Sequence, residues 1–263
     1  ITLPSTASGG VANLYYYCQN HSGMGAEIRT NVTQGSTNFD GNEVSIVQTN
    51  ATAGLSIVTW TGGSNVQTHT FGHGLGVKPA MIIHKRRNST GDWSVWHQKI
   101  SSPNDNFILL NDLDVPSGSP SWEQPTTTVL QPYIGSTGDN HVSYVFTDIE
   151  GYSKFGSYQP TGSATNGTYI HLGFSPAFVM FKSVSANGWE WVMLDNIRTP
   201  NNQRAGYLRA NRSLAENTSY NFVDFLSNGI KIRANSGNDV NTSGHTVIYM
   251  AFAEQPFKFS NGR

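Results

Sequence analysis

The stretch that decides the fold is GLGVKPAMIIHK at residues 74–85, where glycines and a proline lead into a short apolar run that ends at a base. A second copy, LGFSPAFVMFK, occupies residues 172–182. Pro79 and Pro176 are 97 residues apart, as are the lysines that close the two runs. Proline cannot donate to a β ladder, so it belongs at the first residue of a strand. The apolar run after each proline is typical of a strand buried on both faces, so the two stretches predict equivalent strands.

The repeat continues in the same chain order over three further blocks. Residues 93–97 match 191–195 at an offset of 98, residues 107–111 match 207–211 at an offset of 100, and residues 141–155 match 245–259 at an offset of 104. A slowly growing offset is expected of a duplication with a few loop insertions. Two copies of about 100 residues are too few and too long for a solenoid. They indicate two halves of one β domain, or two small β domains packed together.

The rest of the chain has the pattern of an all-β protein. Short runs rich in Val, Ile, Phe, Tyr and Trp are separated by Gly, Asn, Asp and Pro, which is typical of a β-sandwich or barrel. The only helical candidate is a turn at residues 213–216. We predict tandemly duplicated sandwich-like or barrel-like units with less than about a tenth helix. The expected divisions are a β segment at 1–33, a linker and strand at 34–55 with its Gly/Ser/Asn-rich part at 34–42, a first repeat unit at 56–158 and a second at 159–263.

Composition limits the classes of function. The chain has 263 residues and a net charge of −1, with 13% charged and 11% aromatic residues. Low charge with many aromatic residues is common in secreted and virion β proteins, and the absence of a basic surplus argues against a nucleic-acid partner. The sequence contains no run of 18 apolar residues, so we predict no membrane span. The single cysteine, Cys18, excludes an intrachain disulfide, and the first residue, Ile1, leads us to expect a longer protein.

One loop carries residue types that suit copper. Cys18, His21 and Met24 would supply a thiolate, an imidazole and a thioether, which are ligands that copper prefers. The stretch from Tyr15 to Gly25 resembles the ligand loop at the end of a cupredoxin domain, which implies that residues 1–33 are the last strands of such a domain. That family takes a further histidine from an upstream strand, for which this chain has no residues. We therefore expect no cofactor. Either an N-terminal part supplies the missing histidine, or the loop is a fold element without metal.

Two pairs of acidic residues are candidates for acid–base chemistry: Asp148 with Glu150, and Asp112 with Asp114. A glycan depolymerase needs two carboxylates on opposite sides of the scissile bond, which neighbours two apart rarely provide. The sequence also contains no G-x-S-x-G, H-E-x-x-H or P-loop motif. We therefore predict that the protein is not an enzyme and that these carboxylates have structural or solvated roles.

Four motifs resemble the C-terminal domain of tail-fibre-like proteins from marine bacteriophages. They are GHGLGVKP at 72–79, KRR at 85–87, EGYSKFGSY at 150–158 and YMAFAEQPFK at 249–258. The resemblance covers about residues 56–263, and in such proteins a cupredoxin-like segment can precede this domain. It implies a non-catalytic structural and adhesive protein at the virion surface, in a tail fibre or similar appendage that contacts the host cell. The alternative is a capsid-decorating or head-fibre protein.

The partners expected of a fibre protein are further copies of itself, other virion proteins, and a glycan or protein of the host surface. We expect a homotrimer, because several copies of a weak site gain avidity without new contacts. The chain also has few charged residues to prevent exposed strand edges from pairing with other molecules. We therefore expect its apolar edge strands to be covered in the assembled protein.

Three residues are predicted to contact a host glycan. Sugars offer apolar CH faces ringed by hydroxyls, so the expected contacts are aromatic residues beside amides and hydroxyls. Trp122, Tyr207 and Asn201 lie in loops of that composition. Trp122 has no tryptophan partner in the second copy, which suggests freedom from the packing demands of the repeat. The other interpretation is a plug that closes the end of the sandwich, because large aromatic residues are usually buried.

Overall fold

Strands and irregular chain make up the whole of the part that the computed structural model describes, namely residues 14–17, 25–28, 35–63, 69–100, 106–114, 117–118, 122–132 and 137–255. No helix occurs in these ranges, which confirms the all-β prediction, whereas the helical turn predicted at 213–216 is wrong. Accordingly, no helix in these ranges is long and apolar enough to cross a membrane. The chain divides into two units, Ile1–Ser36 and Thr37–Arg263.

The strands are numbered in chain order. The first two, β1 (Leu14–Tyr17) and β2 (Gly25–Ile28), form an antiparallel pair in the smaller unit. The next ten are β3 (Ser36–Asn38), β4 (Ser45–Asn50), β5 (Leu55–Thr61), β6 (Phe71–Gly72), β7 (Met81–Arg86), β8 (Trp93–His97), β9 (Asn106–Leu109), β10 (Ser117–Gly118), β11 (Val129–Leu130) and β12 (Asn140–Phe146). The last eight are β13 (Ser153–Tyr158), β14 (Tyr169–His171), β15 (Pro176–Ser183), β16 (Trp191–Asp195), β17 (Leu208–Arg209), β18 (Val223–Leu226), β19 (Gly229–Ile232) and β20 (Val247–Ala253).

The two repeats share one scaffold. An eight-stranded sheet has the order β10-β9-β8-β7-β12-β5-β4-β3, and a five-stranded sheet has the order β13-β20-β15-β16-β17. Five strands of the first sheet therefore correspond, in the same order, to the five of the second. The registers also agree. Phe146 of β12 lies opposite Leu55 and Met81, whereas Phe252 of β20 lies opposite Ser153 and Phe178.

The register corrects one part of the sequence alignment. Phe146 and Phe252 are equivalent, so β12 and β20 are related by an offset of 106 instead of 104. Side chains alternate between faces with a period of two, so a slip of two residues leaves the hydrophobic pattern in place. The sequence pattern alone was therefore unable to separate the two offsets.

Two predicted boundaries also differ from the structure. The strand β13 pairs with β20, so the first strand of the second sheet comes from residues assigned to the first repeat. Likewise β3 lies inside the segment predicted as a linker at 34–42 and extends the edge of the eight-stranded sheet. Pro176 opens β15 as expected, while Pro79 precedes β7 by two residues.

The sheets of the larger unit stack in layers. A two-stranded sheet, β6 with β11, covers one face of the eight-stranded sheet, where Phe71 stacks on Trp60 with ring centroids 4.4 Å apart. The opposite face packs on the five-stranded sheet, where Phe146 contacts Phe252 with ring centroids 6.2 Å apart. The outer face of the five-stranded sheet buries a second apolar core against the three-stranded sheet β14-β19-β18. The core is thus continuous from the first repeat into the second.

The repeated lysines have one structural role in both copies. The ammonium group of Lys85 donates to the carbonyl of Gly91, in the loop between β7 and β8. The ammonium group of Lys182 donates to the carbonyl of Trp189, at 2.5 Å, in the equivalent loop. Lys182 is fully buried and also donates to the carbonyl of Leu113 in the first repeat, at 3.0 Å. Each lysine therefore closes its own hairpin, and the second one also ties the repeats together.

We expect Lys182→Met to lower the free energy of unfolding by about 1–3 kcal/mol, because it leaves two carbonyls without their donor. Lys85→Met is the matched control and should cost less, because Lys85 is only half-buried and its carbonyl partner can turn to water. Urea unfolding of the two variants measures the difference. Equal losses would contradict the bridging role of Lys182.

Candidate ligand-binding pocket

Trp122 is not an exposed contact. Its side chain is only 1% exposed, and its ring contacts Phe107 and the edge of His84, with centroids 5.9 Å away in both cases. The burial of the ring agrees with the interpretation of Trp122 as a plug and not with that of an exposed contact.

The other predicted contacts separate in space. Tyr207 is 1% exposed and packs on Phe222 with ring centroids 4.4 Å apart, and it lines a pocket. Asn201 is exposed but does not line this pocket. The copper candidates Cys18, His21 and Met24 lie outside the described residues. Within the described ranges, no group of three or more His, Cys, Asp or Glu side chains is arranged to hold a metal ion.

The pocket lies at the loop end of the second repeat and has a volume of about 450 Å³. Four segments form it: the loop that leads into β16, the residues around β17, Tyr220 in the stretch before β18, and the loop that follows β19. Its lining combines aromatic rings, amides and charged groups: Gly188, Trp189, Glu190, Tyr207, Arg209, Tyr220, Asn235, Ser236, Gly237, Asn238 and Asp239. Tyr220 is 52% exposed, whereas Trp189 is half-buried with its ring edge-on to His245. The pocket thus offers an exposed ring beside fixed polar groups.

Glu190 belongs to the duplicated scaffold. The side chain of Asn211 accepts from the backbone N–H of Trp191 at 3.1 Å and donates to Glu190 at 2.5 Å. The first copy repeats this arrangement: Asn111 accepts from the N–H of Trp93 at 2.8 Å and donates to Asp92 at 2.7 Å. The conserved geometry within one chain shows that the carboxylate before each tryptophan orients the end of a hairpin.

Arg209 has no such scaffold role. Arg209 stands where the first copy has Leu109, and its guanidinium lies over the ring of Tyr207, 5.2 Å from the centroid. Its Nη2 is 3.7 Å from Asp239 and its Nε is 3.9 Å from Glu190, both longer than a hydrogen bond. The Nε atom is buried without a hydrogen-bond partner. These distances leave donor capacity on a cation that faces a pocket.

Burial sets the electrostatics of this region. It raises the pKa of Asp239, although the N–H of Glu190, which donates to Asp239 at 2.8 Å, and the charge of Arg209 favour the ionised form. Burial also lowers the pKa of Lys182 to about 8, against the attraction of Asp239 and Glu190. Glu190 accepts a further hydrogen bond from Nε of Arg212 at 3.1 Å. The negative charges of Glu190 and Asp239 are therefore offset by the guanidinium groups of Arg209 and Arg212.

The acidic residues of the two pairs considered from sequence lie in loops and turns. Asp148 accepts from the backbone N–H of Phe155 at 2.7 Å and from Gln98 at 3.4 Å, which ties the start of β13 to the first repeat. Glu150 is exposed in the following turn. Asp112 accepts from the N–H of Leu113 at 2.6 Å, so it shapes its own loop.

Fold and pocket define the class of protein: a duplicated all-β protein with a small polar and aromatic pocket on its second repeat. Over residues 28–256 the chain matches the profile of the family described as "Domain of unknown function (DUF7483)", so it belongs to that family. Comparisons with curated proteins and with solved structures returned no match.

Proposed function

We propose that this chain is a non-catalytic structural and adhesive module of a virion appendage, a phage tail fibre or a similar structure, and that it contacts the host cell surface. The support comes from the tail-fibre-like motifs in the sequence and from the pocket. The duplicated sheets form a scaffold, and the pocket lies at the loop end of the second repeat. This arrangement is expected of a binding module, because binding residues commonly lie on loops that a scaffold positions.

The observation that supports binding over catalysis most directly is the state of the pocket's carboxylates. Glu190 is held by Asn211 and Arg212, and Asp239 is held by the N–H of Glu190. A glycosidase needs one carboxyl group free to give a proton and another free to attack or to activate water. Groups fixed by hydrogen bonds suit recognition better, because their geometry is set before the ligand arrives.

A glycan depolymerase is the second candidate, because burial raises the pKa of Asp239 toward that of a general acid. A reducing-end assay on polysaccharide extracted from marine bacterial strains distinguishes the two functions. We expect no hydrolysis by the native chain or by Asp239→Asn. Turnover by the native chain that disappears in Asp239→Asn would establish the enzyme.

The adhesive function is tested on whole cells and particles. The fluorescently labelled chain should adsorb to a subset of a panel of marine bacterial strains, and adsorption should saturate. Antibodies raised against the chain should label the tails of purified particles in electron micrographs. Labelling of the capsid surface instead would support the capsid-decorating or head-fibre alternative. Light scattering tests the expected homotrimer, and a monomer for a chain with its upstream segment would contradict it.

A further inference from the structure

We propose that the pocket of the second repeat binds one neutral hexose unit of a surface glycan, with the sugar's CH face on Tyr220 or Trp189 and its hydroxyls between Arg209 and Asp239. This inference rests on the proposed adhesive function. It goes further in naming the site, the class of ligand and the residues that select it.

The shape and lining of the pocket fit a sugar. Its volume of about 450 Å³ lies within the range of small-molecule sites. The half-exposed ring of Tyr220 and the half-buried ring of Trp189 offer flat apolar surface beside the exposed side chains of Asn235 and Ser236. Rings supply contact area for CH groups, while amides and hydroxyls both donate and accept, as sugar hydroxyls do.

The charge balance indicates that the ligand is neutral. Arg209 lies within 4 Å of both Glu190 and Asp239, and Arg212, which does not line the pocket, offsets the charge of Glu190. An anionic sugar would face the carboxylates of Glu190 and Asp239, and a cationic one would face the guanidinium of Arg209. A neutral hydroxyl avoids both repulsions, because it accepts from a guanidinium N–H and donates to a carboxylate oxygen at the same time.

Arg209 is the residue that the scaffold does not require. The first copy folds the equivalent strand with Leu109, so the duplicated packing has no need of a cation at this position. Nη2 of Arg209 nevertheless lies 3.7 Å from Asp239, beyond hydrogen-bond distance. A ligand hydroxyl placed between the two groups would accept from the guanidinium and donate to the carboxylate.

Saturation-transfer NMR on the whole chain tests the site. The probes are glucose, galactose, mannose and N-acetylglucosamine as neutral sugars, with glucuronate and glucosamine as charged counterparts. We expect saturable binding of at least one neutral sugar and weaker binding of both charged ones. Arg209→Leu, which installs the first copy's own residue, and Tyr220→Ala should each weaken binding at least about tenfold, equal to 1.4 kcal/mol.

Tyr169→Ala is the matched control, because Tyr169 is a comparably exposed tyrosine at 44% that does not line the pocket. Its sugar binding should equal that of the native chain. Thermal melting of each variant separates lost binding from lost folding, and Tyr220→Ala keeps the test valid if Arg209→Leu is unstable.

Two outcomes would overturn the inference: no binding of any neutral sugar, or binding that survives both pocket variants. Tighter binding of glucuronate than of glucose would overturn the neutral class. Adsorption to cells without sugar binding would remove this site and leave the adhesive function standing. Sugar binding in the pocket without adsorption to any strain would support this site and count against the adhesive function.

Discussion

Replacing Trp122 with alanine should lower the free energy of unfolding by about 3 kcal/mol. The ring is 1% exposed and packs between Phe107 and His84, so truncation leaves a cavity in the first repeat. Removing a large buried aromatic side chain costs about 3–5 kcal/mol. The lower end applies because the indole N–H of Trp122 is buried without a hydrogen-bond partner, and its removal relieves that penalty.

Trp122→Phe is the matched control. It keeps an aromatic ring beside Phe107 and His84, so it should keep most of the packing and cost less than half as much as alanine. Urea unfolding at fixed pH measures both variants. Adsorption of the labelled chain to cells, measured well below the melting temperature, should be unchanged in both. Lost adsorption at an unchanged melting temperature would show instead that Trp122 takes part in binding to the host surface.

The fold was predicted correctly where a particular residue type marks a particular structural feature. Pro176 marks the start of a buried strand, and Lys85 and Lys182 each close the hairpin of their own copy, so these signals located equivalent strands. The prediction failed where the pattern repeats every two residues, as in the offset of β20. The assignment of β13 also failed, because its residues pair with residues of β20 that lie 89 to 99 positions further along the chain, and pairing at that distance leaves no local signal.

The candidate site was predicted only in part, for a related reason. Tyr207, a predicted glycan contact, lines the pocket with a ring that is only 1% exposed, whereas Arg209 and Asp239 meet only because β17 joins the second sheet next to the loop after β19. One signal was available in the sequence. The aligned blocks 107–111 and 207–211 place an arginine opposite Leu109, and a charge that replaces an apolar residue in a repeat indicates a use outside the scaffold.

Mild acid should unfold this protein, because four histidines are buried in the neutral form. Burial lowers the pKa of His84 and of His97 to about 3, and it also lowers the pKa values of His73 and His141. The hydrogen bonds of His97 agree with a neutral ring. Its Nδ1 accepts from the N–H of Lys99 at 3.1 Å, so a proton on that nitrogen would face another donor.

The direction in which pH changes the free energy of unfolding follows from proton linkage. Below pH 6.5 the unfolded chain protonates its histidines, whereas folded His84 and His97 stay neutral until about pH 3. The free energy of unfolding therefore falls by about 1.4 kcal/mol per pH unit for each of these two residues, or about 5 kcal/mol together at pH 4.5. Asp148 and Asp239 oppose this trend, because burial raises their pKa values and the folded chain binds their protons first.

The second copy provides the variants that isolate the effect of these histidines. Nδ1 of His141 lies 3.2 Å from Nε2 of His84, and His84 bonds Ser143 at 3.1 Å, which makes a polar pair inside an aromatic core. At the equivalent positions the second repeat has Phe181 and Val247.

The double variant His84→Phe, His141→Val should therefore fold and unfold at a lower pH than the native chain, by about one pH unit, because two protonation penalties disappear. His171→Phe, at an exposed position, is the control and should leave the acid midpoint unchanged. Circular dichroism and tryptophan fluorescence between pH 7 and pH 3 follow the transition. An unchanged midpoint in a double variant that is as stable as the native chain at pH 7 would show that groups other than these two histidines control acid unfolding.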